Sequence, residues 1–248
     1  MTRAAFLAAV LLVGCRDSTA KPLVVFAASS LSEAFAEIER DFESEHSGVD
    51  VEISTGGSQA LRVQLEHGAA ADVFASANAA HIEALHDAAI VGQPVAFTTN
   101  TLVLAVPRGN PAGLDSFAEL PNAQRIILGG ETVPVGAYTQ ELLERADAEL
   151  GDGFARHVQD HVVSREPNVR LVVAKVELGE ADAAVVYRSD VVARRVEALA
   201  IPDDLLPSVE YFVAPVARSG ASELARSFVD HLASARGQAA LARHGFGR

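Results

Sequence analysis

Hydrophobic and polar positions follow two alternating patterns between positions 22 and 90. The run LVVFAA at residues 23–28 predicts a buried strand, and the segment LSEAFAEIERDFESEH after it predicts a helix with one apolar face (Leu31, Phe35, Ile38, Phe42). Two more strand–helix pairs follow, VDVEIST with SQALRVQLEHG and ADVFASA with NAAHIEALHDAAI. We expect Gly68 to end the first of these helices and Asn78 to cap the second. Three such pairs in succession favour parallel strands joined by right-handed crossovers, and hence an α/β fold.

A second set of strands and helices occupies residues 99–210. The segments TLVLAVPRG, RIILGG and DAAVVYRSD predict strands, and YTQELLERADAEL predicts a helix. The segment VRLVVAKVELGEA predicts another helix, with an apolar face (Val169, Val172, Val173, Val176) and an end at Gly179. A late strand, EYFVAPVA, and helices across residues 222–246 close the chain.

The predicted elements form two α/β lobes without a long linker between them. We therefore expect the chain to cross between the lobes more than once, near Thr98 and Glu210. The first lobe would comprise residues 22–98 and 211–248, and the second lobe residues 99–210.

The first 21 residues have the pattern of an export signal. Arg3 precedes an apolar run at residues 4–13, which is too short to span a bilayer as a helix. The run ends in LVGC, and Cys15 is the only cysteine of the chain. This resembles a bacterial lipoprotein signal, in which Cys15 would be lipidated and residues 16–21 would form a polar tether in the periplasm or cell envelope. An ordinary signal peptide with a stray cysteine is the alternative.

Composition and charge narrow the classes of partner. The 248 residues are 49% hydrophobic, enough for one large or two modest cores. They include 33 acidic and 20 basic residues, a net charge of -13, with no basic stripe, which argues against nucleic acid as a partner. This charge gives no long-range attraction for a small anion, so local dipoles would have to hold one.

Two strand-to-helix junctions in the first lobe offer hydroxyl groups. Ser30 and Glu33 form an S-x-x-E pattern, which predicts a capping box with Ser30 as the N-cap, but this leaves Ser29 unexplained. In STGGSQAL, two glycines precede Ser58 at a helix start, and their lack of side chains would let a ligand approach the backbone. A helix N-terminus has unpaired N–H groups and a positive dipole end, which suit an anion.

The second lobe repeats this arrangement of neutral donors. ETVPVGAYTQ exposes the N–H groups around Val135 at a helix start, and EPNVRLVV has Asn168 as the predicted N-cap with Val169 in the first turn. Tyr187 ends the strand of VVYRSD with a phenol that can donate one hydrogen bond. Since ligands of open α/β sheets gather beyond the carboxyl ends of the strands, these places from both lobes are candidates for one site.

Taken together, the segments VFAASSL, GGSQALRVQLEHGAAADVFASA, VPVGAYTQELL, NVRLVVAKVELGEADAAVVYRSD and VEYFVAPVA resemble the periplasmic molybdate-binding proteins of molybdate ABC transporters, in order over nearly all of residues 22–248. The resemblance implies the type II periplasmic binding-protein fold, with two Rossmann-like lobes joined by a hinge. It also implies a monomer without enzymatic activity or cofactor. Such a protein binds molybdate or tungstate with high affinity in the cleft and delivers it to a membrane permease.

The resemblance also assigns the binding residues. It places the ligand hydroxyls on Ser30, not Ser29, and on Ser58, the main-chain donors on Val135 and Val169, and the phenol on Tyr187. These positions supply donors and no carboxylate. Such a set favours a fully ionised oxyanion over phosphate, which carries a proton near neutral pH and needs an acceptor. Sulfate or another oxyanion stays open on this argument, because the resemblance, not the donor set, selects molybdate.

Three rival interpretations use other features of the sequence. His157 and His161 stand four residues apart, as metal ligands on one helix face would, but no third ligand is evident. A hydrolase is disfavoured because neither Ser30 nor Ser58 lies in a G-x-S-x-G elbow. A structural lipoprotein without a ligand is the third alternative. Arg170, next to Val169, is interpreted as a solvated helix residue, with a contact to the other lobe as the alternative.

Overall fold

The computed structural model describes residues 21–192 and 194–247. Cys15 and the predicted signal and tether up to residue 20 therefore lie outside the described residues. The described strands are β1 (Leu23–Ala28), β2 (Val51–Gly56), β3 (Val73–Ser76), β4 (Val95–Asn100), β5 (Leu102–Pro107), β6 (Ile126–Gly129), β7 (Val162–Glu166), β8 (Ala183–Tyr187), β9 (Val196–Ala200) and β10 (Val209–Pro215). The described helices are α1 (Ser32–Glu45), α2 (Ser58–Glu66), α3 (Ala79–Asp87), α4 (Pro134–Leu150), α5 (Phe154–Asp160), α6 (Val169–Glu177), α7 (Arg188–Val191), α8 (Ser222–Ala233) and α9 (Ala235–Arg243).

The strands form two five-stranded sheets with the same internal plan. The first sheet has the order β2-β1-β3-β10-β4 and the second the order β7-β6-β8-β5-β9. In the first sheet β1 is parallel to β2 and β3, and in the second β6 is parallel to β7 and β8. The parallel pairing predicted for the three strands of the first 90 residues is confirmed. In each sheet the fourth strand, β10 or β5, runs antiparallel to both neighbours.

The chain passes between the two sheets twice. Only Thr101 separates β4 of the first sheet from β5 of the second, and the chain returns between β9 and β10. Helices α1–α3, α8 and α9 lie with the first sheet, and α4–α7 lie with the second. We refer to each sheet with its helices as the first and the second lobe.

The predicted apolar face of α1 is confirmed. Phe35, Ile38 and Phe42, with Leu31 just before the helix, are fully buried. The rings of Phe35 and Phe42 meet Phe228 of α8 edge to face, at centroid distances of 6.0 and 5.2 Å. These contacts bury large aromatic surfaces in favourable geometry and fix α1, and with it the loop before α1, on the first sheet.

The apolar face of α6 and several helix ends are also as predicted. The four valines of α6 are buried. The side chain of Asn78 accepts a hydrogen bond from the N–H of His81, and that of Asn168 from the N–H of Leu171. Gly68 and Gly179 follow α2 and α6 with φ of +85° and +73°, the left-handed conformation that glycine adopts without strain.

The predicted capping box at the start of α1 is wrong. Residues Ser29–Leu31 form a 3-10 turn, and α1 begins at Ser32 without a side-chain cap. The hydroxyl of Ser30 instead lies 2.8 Å from the phenol oxygen of Tyr211, and the carboxylate of Glu33 binds Arg170 in the second lobe. Both side chains are therefore used in contacts that are distant along the chain.

Within residues 21–192 and 194–247, no helix has the length and hydropathy that a membrane crossing requires.

Candidate functional site

All five predicted site residues line one pocket between the lobes. Ser30, Ser58, Val135, Val169 and Tyr187 meet there, with small residues such as Gly56 and Ala77 between them. The pocket lies beyond the carboxyl ends of parallel strands in both sheets, as expected for an α/β protein. The cavity is narrow, with a volume of ≈ 10 Å³, which is about the room that one water molecule needs.

The hydroxyl of Ser30 is oriented by a relay of polar groups behind it. The carboxamide of Asn100 is fixed because its oxygen accepts the N–H of Thr101 at 2.9 Å, so its nitrogen faces the phenol oxygen of Tyr211, 3.4 Å away. Tyr211 can then donate its proton to Ser30 Oγ across 2.8 Å. Ser30, which is buried, keeps its own proton free to donate into the pocket.

Ser58 is oriented in a similar way. It is the first residue of α2, and its Oγ accepts the main-chain N–H of Ala77 at 3.1 Å. Since the oxygen already accepts from behind, the hydroxyl proton is free to point into the pocket. Both serines can thus accept a hydrogen bond from the protein and keep a hydroxyl proton that can be donated into the pocket.

Two helix N-termini of the second lobe add main-chain donors. Pro134 and Val135 are the first residues of α4, and Val169 is the first residue of α6. N–H groups in a first helical turn have no acceptor within their helix, so those of Val135 and Val169 are available to a ligand. Both valines are buried and line the pocket. The positive ends of the two helix dipoles reinforce the attraction for negative charge.

Tyr187 places a buried donor without a partner in the same pocket. Tyr187 is 1% exposed, and its hydroxyl has no hydrogen-bond partner among the residues that the structure describes. Burial raises the pKa of this phenol well above its usual value, and the nearby phenol of Tyr211 adds to the effect. The group therefore stays protonated, and a buried donor left unpaired is costly until a ligand accepts its proton.

The walls of the pocket are uncharged. Among the residues that the structure describes, those lining the pocket include no Lys, Arg, Asp, Glu or His. A buried acid, Asp190, lies three positions after Tyr187. Burial raises its pKa to about 7, with repulsion from Glu33, while the main-chain N–H of Tyr187 and two arginines oppose the rise. The sequence reasoning did not single out Asp190, although it lies within the quoted segment VVYRSD.

An ion pair joins the two lobes beside the pocket. Arg170 Nη1 of α6 contacts both carboxylate oxygens of Glu33 in α1, at 2.6 and 2.7 Å. Burial would raise the pKa of Glu33, but the hydrogen bond and charge of Arg170, with Arg194, hold it below its usual value. Of the two interpretations of Arg170, the contact to the other lobe is therefore the one that the structure shows, and the interpretation as a solvated residue is wrong. Arg170 directly follows Val169, and Glu33 lies three residues after Ser30. These positions, each close to a predicted ligand residue, are the signal in the sequence for the contact between the two side chains.

Two further contacts cross between the lobes. Gln59 Nε2 donates to the carbonyl of Pro167 at 2.7 Å, and His81 Nε2 lies 2.9 Å from the carbonyl of Thr132. Burial lowers the pKa of His81, and the positive charge of Arg62 lowers it further. The hydrogen bond to the Thr132 carbonyl and the negative charge of Glu66 act in the opposite direction. His81 Nδ1 is buried without a partner, so the neutral ring with its proton on Nε2 fits this environment.

The two histidines considered as metal ligands lie elsewhere. His157 is in α5, and His161 follows the last residue of that helix. Within the described ranges, no group of three or more His, Cys, Asp or Glu side chains is arranged to hold a metal ion.

A profile of the bacterial extracellular solute-binding proteins matches residues 23–247, and the chain belongs to this family. The chain is 35% identical over 233 residues to the molybdate-binding protein of Mycobacterium tuberculosis, covering 92% of this chain and 85% of that protein. It is 32% identical over 256 residues to a putative ABC transporter substrate-binding lipoprotein of Bacillus subtilis, covering 98% and 95%. The family predicted from the sequence is thus confirmed.

Solved structures show the same two-lobed fold. The periplasmic molybdate-binding protein of Azotobacter vinelandii superposes with a TM-score of 0.79 at 18% identity, covering 91% of this chain and 99% of that one. The sulfate-binding protein of M. tuberculosis superposes with a TM-score of 0.80 at 17% identity, covering 92% and 86%. The predicted fold class is confirmed. At these identities the likeness concerns the fold alone, and it is shared by proteins of different ligands.

Proposed function

We propose that this protein binds molybdate and tungstate in the pocket between its lobes and delivers them to the membrane permease of an ABC transporter. The proposal rests on one combined observation. The chain is 35% identical to a molybdate-binding protein over 92% of its length, and its pocket is lined by neutral hydrogen-bond donors. We propose Ser30, Ser58, Val135, Val169 and Tyr187 as the ligand residues. No catalytic step and no cofactor belong to this function.

The chemistry of the donors supports a fully ionised oxyanion. Three hydroxyls and two main-chain N–H groups converge from both lobes, and a tetrahedral dianion offers only acceptors to them. A phosphate that carries a proton would need an acceptor that these walls lack, and its unpaired proton would cost affinity. The hydroxyl of Tyr187, buried and without a partner, supports this strongly because an anion would satisfy it.

Calorimetric titration with molybdate, tungstate, sulfate and phosphate tests the proposal. We expect molybdate and tungstate to bind most tightly, sulfate more weakly, and phosphate not at all. Sulfate binding as tightly as molybdate would contradict the molybdate assignment, and no response to any of the four would contradict a role in oxyanion transport.

We also propose that the protein is exported and held in the cell envelope by lipid on Cys15, as a monomer. The support is the export pattern of the sequence and the B. subtilis lipoprotein, whose alignment with 98% of this chain must include position 15. In a bacterial host, Cys15→Ser should remove labelling by radioactive palmitate and detergent-dependent extraction. Unchanged labelling would exclude Cys15 as the attachment point, and light scattering of the purified protein measures the oligomeric state.

A further inference from the structure

Gly57 packs directly against the opposite lobe. It precedes α2 with φ of -65° and ψ of 134°, an extended conformation that any residue adopts. A Cβ built on it would lie 2.4 Å from the carbonyl oxygen of Pro167, which lies between β7 and α6 in the second lobe. Real Cβ atoms do not approach a backbone atom this closely. The first lobe alone therefore does not require glycine here, but the contact between the lobes does.

The side chain of Gln59 uses the same space. The Gln59 side chain passes over Gly57, and a Cβ added to Gly57 would lie 2.6 Å from both Nε2 and Oε1 of Gln59. The Nε2 group of Gln59 donates a hydrogen bond to the carbonyl of Pro167. The sequence suggested that a ligand approaches the backbone at the two glycines. At Gly57, which lines the pocket, the main chain of the other lobe also approaches.

This contact lies next to two proposed ligand donors. Ser58 follows Gly57 directly, and Val169 follows Pro167 by two residues, one in each lobe. Ordinary contact at position 57 would require the two segments to separate by roughly 1 Å, because close-packed atoms do not overlap. A displacement of this size moves Ser58 and Val169 apart, so that one ion cannot hold short hydrogen bonds to both.

We infer that Gly57 determines how far the lobes close over the ligand, and that a side chain at this position prevents full closure. The inference rests on the proposed function. It assigns to Gly57 a positioning role through the Pro167 carbonyl, separate from the ligand contacts themselves.

The test compares Gly57→Ala and Gly57→Val in the full-length protein, purified in detergent, with molybdate as the ligand. We expect Gly57→Ala to weaken binding about 10- to 100-fold, the range of a steric clash in a packed contact, and Gly57→Val to weaken it further. The unfolding temperature without ligand should not fall, because alanine is compatible with this backbone. Gly220→Ala is the matched control: it adds the same methyl group where nothing lies within 4 Å, and we expect wild-type affinity.

Gln59→Ala separates the steric effect from the loss of the hydrogen bond. This variant removes the exposed bond to Pro167 without adding atoms, so we expect a loss of affinity below about fivefold. Amide hydrogen exchange reports closure directly. Molybdate should protect residues 57–61 and 168–172 in the wild-type protein, and in Gly57→Ala it should protect the second segment less, even at saturation.

The outcomes separate this inference from the proposed function. A wild-type protein that binds none of the oxyanions refutes both. Wild-type binding with an unchanged affinity in Gly57→Ala refutes the inference alone. Full protection of both segments in saturated Gly57→Ala would also overturn it, because the methyl group would then fit the closed form.

Discussion

Replacing Tyr187 by phenylalanine should change ligand binding and stability in opposite directions. In the structure the hydroxyl of Tyr187 is buried and has no partner, which costs about 1–3 kcal/mol in a folded protein. Tyr187→Phe removes this cost without creating a large cavity. We therefore expect the free energy of unfolding without ligand to stay equal or to rise.

The same change should weaken the binding of molybdate. A hydrogen bond to a charged acceptor contributes about 1.5–3 kcal/mol, which corresponds to a loss of affinity of about 10- to 150-fold. Calorimetry measures this loss directly. Thermal unfolding with and without molybdate measures it independently, since a ligand stabilises the folded state in proportion to the logarithm of its affinity.

Tyr211→Phe is the matched control for the loss of a buried phenol hydroxyl. Tyr211 is fully buried like Tyr187, but its hydroxyl contacts Ser30 and Asn100. We expect this variant to be less stable without ligand, because two polar groups lose their partner. If Tyr187→Phe binds molybdate with wild-type affinity, or is destabilised as Tyr211→Phe is, the reasoning about the unpaired phenol is refuted.

Three further variants test the site and its interlobe contacts. Ser30→Ala should weaken molybdate binding at least tenfold and Ser29→Ala far less, by calorimetry; the reverse order would show that the ligand contact lies on Ser29. Glu33→Gln breaks a half-exposed ion pair with Arg170 and should lower the affinity for molybdate at most about fivefold. The affinity of this variant should depend less on NaCl concentration than that of the wild-type protein. Equal salt dependence of the two affinities would exclude a role of the ion pair in closure of the lobes. Burial lowers the pKa of His81 from 6.5, so the wild-type affinity for molybdate should be constant above pH 6.5 and decline below it. A His81→Gln variant should lose this decline. If its pH profile is the same as that of the wild-type protein, the decline belongs to another group.

Sequence reasoning succeeded where the determining interactions are local. The apolar faces of α1 and α6 and the caps at Asn78 and Asn168 depend on residues within about three helical turns, and all were predicted. The strands β4, β7 and β9 were missed. Each is partly exposed and joined to a partner on one side only, so its apolar pattern is weak.

Contacts between segments that are far apart along the chain could not be predicted from the sequence. The capping-box prediction at Ser30 and Glu33 failed because the hydroxyl meets Tyr211, 181 positions away, and the carboxylate meets Arg170, 137 positions away. Nothing in a local pattern encodes such partners. The five proposed ligand residues came from the family resemblance together with their places at strand ends and helix starts, and the structure brings them to one pocket.

The two crossings between the sheets set the order in which the lobes can be completed as the chain is made. All five strands of the second sheet lie between Leu102 and Ala200, so this lobe can fold as soon as that stretch is available. The first sheet cannot, because β4 pairs only with β10, whose first residue is Val209. Until β10 is made, β4 has no strand to pair with. A folded second lobe shortens the loop between β4 and β10, which lowers the entropy cost of bringing these strands together. A second lobe that has folded by then holds the ends of β4 and β10 close together before the first sheet is complete.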